Sequence, residues 1–171
     1  VPGAFDDCQR LVKAAFLDPT LAPLHLSSAN SINIGRLLPQ SFYYVASYLA
    51  VSGASRQPVV FSVPSGNLGN LTAGVLAARM GVPVARFIAA SNQNDVLPEF
   101  LETGTYRARP SVATISNAMD VGDPSNFERL LHLADGSIDH LRRLVRGERI
   151  TEAETRDAMR QAYRESGLVI D

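Results

Sequence analysis

Lysine is nearly absent from this sequence: of 16 basic residues, all but Lys13 are arginines. Chemistry that runs through a lysine amine must therefore use Lys13 or an amine from elsewhere. Cysteine is equally scarce. Cys8 permits no internal disulfide and cannot build a multi-cysteine metal site, so no oxidising compartment is demanded and no metal is expected. No run of about 18 apolar residues is present to span a membrane, and the amino terminus lacks the basic, apolar and small-residue order of a signal peptide. Excess charge is missing too. With 16 basic against 17 acidic side chains the formal charge is -1, which argues against a nucleic-acid-binding face built on net charge.

What is present suits one folded domain. A chain of 171 residues with 46% hydrophobic side chains is long and apolar enough to bury roughly two thirds of its unfolded surface. Most charges fall after residue 100, so residues 1–100 read as the buried part. Pro58–Val63 and Pro83–Ala90 have the apolar, β-branched character of buried parallel strands, and Leu24–Ser27 gives a further strand. Between the first two, Leu71, Val75 and Met80 with Ala73, Ala77 and Ala78 form a small-residue helix suited to close packing on a sheet. Ile34, Leu38, Phe42, Val45 and Leu49 recur at helical spacing and predict a helix from about Ile32 to Val51, kinked at Pro39, which removes a backbone hydrogen bond. Strand and helix in alternation predict an α/β domain with a parallel sheet and helices on both faces.

Residues 1–122 read as the α/β core and residues 123–171 as a helical continuation of it that ends in a strand. Asp123 before Pro124 suits a helix start, with Phe127, Leu130 and Leu131 on one face. Ser137 caps a helix carrying Ile138, Leu141, Leu144 and Val145 and ended by Gly147; Thr151 and Glu154 form the capping box of another. The closing run Gly167-Leu168-Val169-Ile170-Asp171 resembles a strand without a sheet. A start on Val1-Pro2-Gly3 adds to the expectation that this is a piece of a longer protein, its exposed surfaces open to self-association.

Two segments carry chemistry. Ser65-Gly66-Asn67-Leu68-Gly69-Asn70 follows a strand and opens the small-residue helix. Glycines three apart let the backbone turn its N–H groups toward a ligand while the helix points its positive end the same way, which makes an anion cradle. A plain turn capped by Asn70 fits the same residues. The segment lacks the Gly-Lys-Ser/Thr ending of a nucleotide loop and the three-glycine dinucleotide fingerprint. Ser65 lacks the flanking glycines of a hydrolase nucleophile elbow, having Val63 and Asn67 there instead. The second segment, Ser28-Ala29-Asn30-Ser31-Ile32-Asn33-Ile34-Gly35-Arg36, offers capping groups at Asn30 and Ser31, an amide at Asn33 and a guanidinium at Arg36 suited to bidentate phosphate contact. A capped helix with a solvated arginine fits it equally. Two such turns in one α/β domain suggest two phosphates at the carboxyl ends of the strands.

Taken with Phe5-Asp6-Asp7-Cys8-Gln9, Arg86-Phe87-Ile88-Ala89-Ala90-Ser91-Asn92 and Ser116-Asn117-Ala118-Met119-Asp120-Val121, these segments resemble the threonine synthase family over about the first 130 residues. That family is pyridoxal-phosphate dependent and shares the fold of the tryptophan synthase β chain. The resemblance implies a cytoplasmic carbon–oxygen lyase acting on O-phospho-L-homoserine and water to give L-threonine and phosphate. It implies cofactor contacts at Ser65, Gly66, Asn67, Leu68, Gly69 and Asn70, with Asn117 and Ala118 against the pyridine ring. Asn30, Ser31, Asn33 and Arg36 would hold the substrate phosphate. The Schiff-base lysine of the family stands well upstream of the Phe-Asp-Asp segment, so Lys13 does not match it and the resemblance leaves this chain without a catalytic residue. Other readings are another pyridoxal-phosphate lyase or dehydratase of the same fold and a non-catalytic phosphate-binding module.

Overall fold

The computed structural model describes residues 2–3, 5–53 and 55–170. Three parallel strands, β1 (Val59–Pro64), β2 (Val84–Ser91) and β3 (Val145–Arg149), form one sheet in the order β1-β2-β3. The predicted parallel α/β architecture is what the chain adopts. Helices α1 (Phe5–Leu17), α2 (Ile34–Leu37) and α3 (Ser41–Ser52) precede the sheet, and α4 (Gly69–Arg79) joins β1 to β2. Helices α5 (Val96–Thr103), α6 (Phe127–Leu133) and α7 (Ile138–Leu144) lie between β2 and β3, and α8 (Glu152–Ser166) follows.

Helix α4 is the centre of the core: Leu71, Ala73, Val75 and Ala77 are fully buried, and Phe87 of β2 is buried with them. Its small residues set how closely its neighbours approach. A Cβ on Gly74 would stand 2.6 Å from Tyr44 Cζ and 2.7 Å from Phe87 Cε1, so only glycine lets those rings meet across the helix. Tyr44, Phe61 and Phe87 then pack as an aromatic cluster, with Tyr44 edge-on to Phe61 at 4.9 Å and to Phe87 at 5.7 Å. A second cluster closes the far side, where Tyr106 stacks on Phe127 at 3.9 Å and Phe100 meets Phe127 edge-on at 4.8 Å. Arg109 pairs with both Asp95 and Glu99, tying the loop after α5 to that helix.

The structure departs from the sequence reading at several places, each for a physical reason. Leu24–Ser27 is no strand: Pro19 and Pro23 fold Pro19–Leu24 into a 3-10 turn that stops at His25 in the left-handed region, φ 47°. The expected long helix breaks at Pro39 into α2, a 3-10 turn over Leu38–Gln40, and α3. The apolar stripe that predicted it faces outward, with Phe42 and Leu49 each 67% exposed, while Leu37, Ser41, Tyr44, Tyr48 and Ser52 make the buried face. Residues 5–52 are thus less buried than their low charge implied, and β1 is an edge strand with Val60 largely exposed.

In the charged part, Ser137 caps α7 through the His140 N–H at 3.3 Å and Thr151 with Glu154 closes the capping box of α8, both as predicted. Val145 and Gly147 do not extend α7; they belong to β3, where Val145 is buried against β2 through its pairing with Phe87. Arginine and glutamate at alternate outward positions masked this strand. Asp123 is not the cap of α6, which begins at Phe127 after Asn126; its carboxylate accepts from the Tyr106 hydroxyl at 2.8 Å instead. Helix α8 ends at Gly167 in the left-handed region, residues 168–170 lie in no strand, and Asp171 falls outside the described residues.

Candidate functional site

The turn from β1 into α4 is built around backbone donors. Ser65 N–H completes the sheet by donating to the Ala90 carbonyl at 2.8 Å. From there the N–H groups of Gly66, Asn67, Leu68, Gly69, Asn70 and Leu71 donate to no acceptor among the described residues. A helix start ordinarily leaves about four donors unpaired; here the run is extended by the turn that precedes α4. Leu68 makes the bend in the left-handed region, φ 60°, although it is a buried, branched residue that disfavours it. Its carbonyl accepts from both Thr72 N–H at 2.9 Å and Thr72 Oγ1 at 2.7 Å, which holds the strained residue in place.

Asn117–Met119 forms a 3-10 turn directly over this bend. A Cβ on Gly66 would stand 2.8 Å from Met119 Cα and 3.3 Å from the Ala118 carbonyl oxygen, so the two segments touch backbone to backbone. The 117–119 stretch therefore lies in contact with the Gly66 bend. Asp120 fixes that stretch: its Oδ1 accepts from Thr114 Oγ1 at 2.7 Å, Asn92 Nδ2 at 2.8 Å and Asn94 Nδ2 at 3.2 Å, and its Oδ2 from Thr114 N–H at 2.9 Å. Because Asn92 follows β2 directly, the sheet end and the 117–119 turn are held as one body.

Side chains of the turn do other work. Ser65, 3% exposed, donates its hydroxyl to the Val63 carbonyl at 2.8 Å, back along the strand. Asn70 Nδ2 donates to Gln40 Oε1 at 3.2 Å, and Asn70 Oδ1 lies 2.6 Å from the Tyr44 hydroxyl. Burial holds the Tyr44 phenol well above its ordinary pKa, so it stays a neutral donor. The Ser65 hydroxyl and the Asn70 amide thus each make a bond that braces the turn.

The 30–36 turn is satisfied from within. Asn30 N–H donates to Ser28 Oγ, Ile32 N–H to Asn30 Oδ1, Asn33 N–H to the Asn30 carbonyl, Gly35 N–H to Asn33 Oδ1 and Arg36 N–H to the Asn33 carbonyl. Asn33, rather than Asn30 or Ser31, caps α2, and its Nδ2 donates to the Ser28 carbonyl at 3.0 Å. Free donors that remain are the N–H groups of Ser31 and Ile34 and the exposed guanidinium of Arg36, which has no partner among the described residues.

The two turns are joined. Asn67 Nδ2 donates to Ser31 Oγ at 2.8 Å, and Asn67 Oδ1 accepts from Ser125 N–H at 2.7 Å and Ser125 Oγ at 3.0 Å. Asn126, fully buried, donates to Ser31 Oγ at 3.1 Å and to the Asn67 carbonyl at 2.9 Å. Arg129 reaches the carbonyls of Ser31 and Ile32 at 2.8 and 2.5 Å. Sequence reading assigned no role to Ser125, Asn126 or Arg129, which act across 58 to 98 residues of chain. A run of polar residues after Asp123-Pro124 was the available signal, and helix-start chemistry explained it away.

One further group titrates abnormally. Asp6, at the start of α1, accepts from Gly122 N–H at 3.1 Å through Oδ2, while its buried Oδ1 has no partner among the described residues. Burial raises its carboxyl above the ordinary value, opposed by the Gly122 hydrogen bond and reinforced by Asp123.

A parallel α/β domain with a run of free amides at a strand-to-helix turn is suited to receiving a phosphate. The chain belongs to the pyridoxal-phosphate dependent enzymes, whose family model matches residues 1–171. Its relatives within that family are threonine synthases. The protein from Serratia marcescens is 48% identical over 162 residues, covering 94% of this chain and 38% of its own length. The crystal structure of threonine synthase from Escherichia coli superposes with a TM-score of 0.91 at 45% identity, over 100% of this chain and 40% of that one. That of the PLP-bound threonine synthase from Brucella melitensis gives 0.86 at 37% identity, over 99% and 42%. This chain therefore spans about two fifths of the length of the relatives it matches. Among the described residues no helix is long and apolar enough to cross a membrane.

Proposed function

We propose that this chain is the phosphate-binding part of a threonine synthase, with Gly66–Leu71 receiving the phosphate of pyridoxal phosphate. The observation that carries the reading is the run of unpaired N–H groups from Gly66 to Leu71, closed over by the 117–119 turn. Six unpaired amides at the positive end of an eleven-residue helix suit a phosphate dianion without a side-chain cation. Pyridoxal phosphate, once bound, supplies an electron sink for charge developing on the substrate carbon skeleton.

In the whole enzyme the substrate would be O-phospho-L-homoserine and the products L-threonine and phosphate. Arg36 is the group to meet the substrate phosphate, since its guanidinium is exposed and uncommitted; the Ser31 and Ile34 N–H groups add donors beside it. Asn30, Ser31 and Asn33 side chains shape this turn through the bonds they make to one another and to its backbone. Asn117 and Ala118 bound the cofactor side of the turn. On this reading the amine that holds the cofactor covalently would come from polypeptide outside these residues, since the resemblance gives Lys13 no counterpart to the Schiff-base lysine. A non-catalytic phosphate-binding module would share the first turn; the resemblance to threonine synthases at 45–48% identity favours the enzyme.

Titration of the 171-residue chain with pyridoxal phosphate, followed by amide 15N–1H NMR, tests this. Shifts concentrated at Gly66–Leu71 and at 117–119 are expected, with no stoichiometric borohydride-fixed adduct on Lys13. Shifts confined to other segments, or specific fixation on Lys13, would overturn the assignment.

A further inference from the structure

The connection between the two turns has a consequence beyond holding them in place. Asn126 Nδ2 donates to the Asn67 carbonyl at 2.9 Å, and that carbonyl shares a peptide plane with the Leu68 N–H, one of the free amides of the cradle. The same Nδ2 donates to Ser31 Oγ at 3.1 Å. Asn126 Oδ1 accepts from Arg129 at 2.8 Å, and Arg129 in turn donates to the carbonyls of Ser31 and Ile32, so its guanidinium charge stands directly behind the second turn, whose Ile32 and Asn33 N–H groups are themselves held by Asn30. Hydrogen bonds in series polarise one another. An anion on the Leu68 N–H makes the Asn67 carbonyl a better acceptor and draws the Asn126 amide more firmly into line. The Arg129 guanidinium has no carboxylate partner among the described residues, so its charge is not neutralised locally and is available to offset the repulsion between two bound anions.

We propose that Asn126 and Arg129 are positioning residues that couple the two turns, so that a phosphate held by Gly66–Leu71 raises the affinity of the 30–36 turn for a second phosphate. This rests on the assignment of the first turn to the cofactor phosphate. Both residues act through Ser31 and the backbone of the turns. By linkage the effect is reciprocal: whatever factor the first anion exerts on the second, the second exerts on the first.

The test uses the 171-residue chain and two probes, pyridoxal phosphate and inorganic phosphate, read residue by residue through amide shifts. In the wild type, saturating pyridoxal phosphate is expected to tighten inorganic phosphate at Ser31, Ile34 and Arg36 by roughly fivefold or more, the lower end of ordinary coupling between sites. In R129Q that factor should fall below about twofold while the shifts of Gly66–Leu71 with pyridoxal phosphate persist. R129K, which keeps the charge but lacks the planar fork, should retain an intermediate factor and serves as the readout if R129Q does not fold. A wild-type factor near one, or an undiminished factor in R129Q or R129K, overturns the coupling while the cofactor assignment stands. Absence of any response at Gly66–Leu71 in the wild type overturns both.

Discussion

The two helix-opening turns of this molecule, one leaving strand β1 and one leading into α2, make opposite use of their donors. From Gly66 to Leu71 the backbone amides are left open, and the side chains of Ser65, Asn67 and Asn70 are turned away to brace the surroundings. From Asn30 to Arg36 the side chains of Asn30 and Asn33 fold back onto the turn and take the Ile32 and Gly35 amides, while Ser28 Oγ and the Asn30 and Asn33 carbonyls take three more. In the proposed reading the first turn would hold an anion by backbone shape, with its side chains engaged in bracing the surroundings. The second is a satisfied turn with one arginine standing out of it, and its affinity rests on that side chain. Residue composition alone does not separate these cases; the direction in which the asparagines spend their hydrogen bonds does.

Placing a methyl group where the first turn meets Met119 strikes hardest at this contrast. Gly66→Ala puts a Cβ 2.8 Å from the Met119 Cα, a backbone atom that cannot swing aside. A loss of about 3 kcal/mol in urea-derived stability is expected, at the upper end of ordinary overpacking. Pyridoxal phosphate should no longer shift the amides of Gly66–Leu71; wild-type shifts in a stable variant would show that the 117–119 contact is dispensable.

Asn126→Ala removes the donor to Ser31 Oγ and the Asn67 carbonyl and leaves Arg129 without one acceptor, in a position with no solvent access. Leaving buried groups unpaired costs about 2 kcal/mol, measured by chemical denaturation. A change within error would mean that the turns are held apart from this residue.

Arg36→Ala is the complementary probe, since it should leave folding alone. Stability is expected within about 0.5 kcal/mol of wild type because the side chain is exposed and unpartnered. Phosphate binding at Ser31 and Ile34 should weaken at least tenfold while the first turn responds normally. Equal weakening at both turns would erase the distinction between a backbone site and a side-chain site.

The smallest effect concerns Asp6, which anchors α1 to the loop carrying Ser125 and Asn126. Its carboxyl titrates above the ordinary value of 3.8 because burial disfavours the charged form. The neutral acid is thus the form the fold prefers. Its contribution is fully present below 3.8 and is lost as pH rises through the higher folded value. Asp6→Asn keeps an acceptor for the Gly122 N–H and should flatten the fall in melting temperature over that window. An unchanged pH profile would locate the dependence elsewhere.

Much of the fold was legible because local and global signals agreed: β1 and β2 are apolar runs bounded by proline, and the alanines and glycines of α4 announce close packing. Legibility failed where one helix carries two stripes. In α3 the apolar set Phe42, Val45 and Leu49 outweighs Tyr44 and Tyr48 in apolar character, yet the tyrosines are the buried pair, because Tyr44 can reach Asn70 and lie against Phe87. Strand β3 failed for a related reason, its charged outward residues resembling the end of α7. At the site, the glycine spacing of the first turn was readable from neighbours in sequence. Asn126 and Arg129 were not, since their partners lie 59 to 98 residues away and no local pattern records such a distance.

Strand register also sets a timetable for folding. Val59 pairs with Val84 across a loop of roughly 25 residues, whereas Phe87 pairs with Val145 across roughly 60, and closing the longer loop costs about 0.7 kcal/mol more chain entropy. The β1–α4–β2 unit, with its open amides, is therefore expected to form ahead of β3. Residues 125–129 lie inside the longer loop and are delivered only when it closes. During that interval the first turn exists without its tie to the second, so pulse-labelled hydrogen exchange should find the α4 amides protected before those of β3.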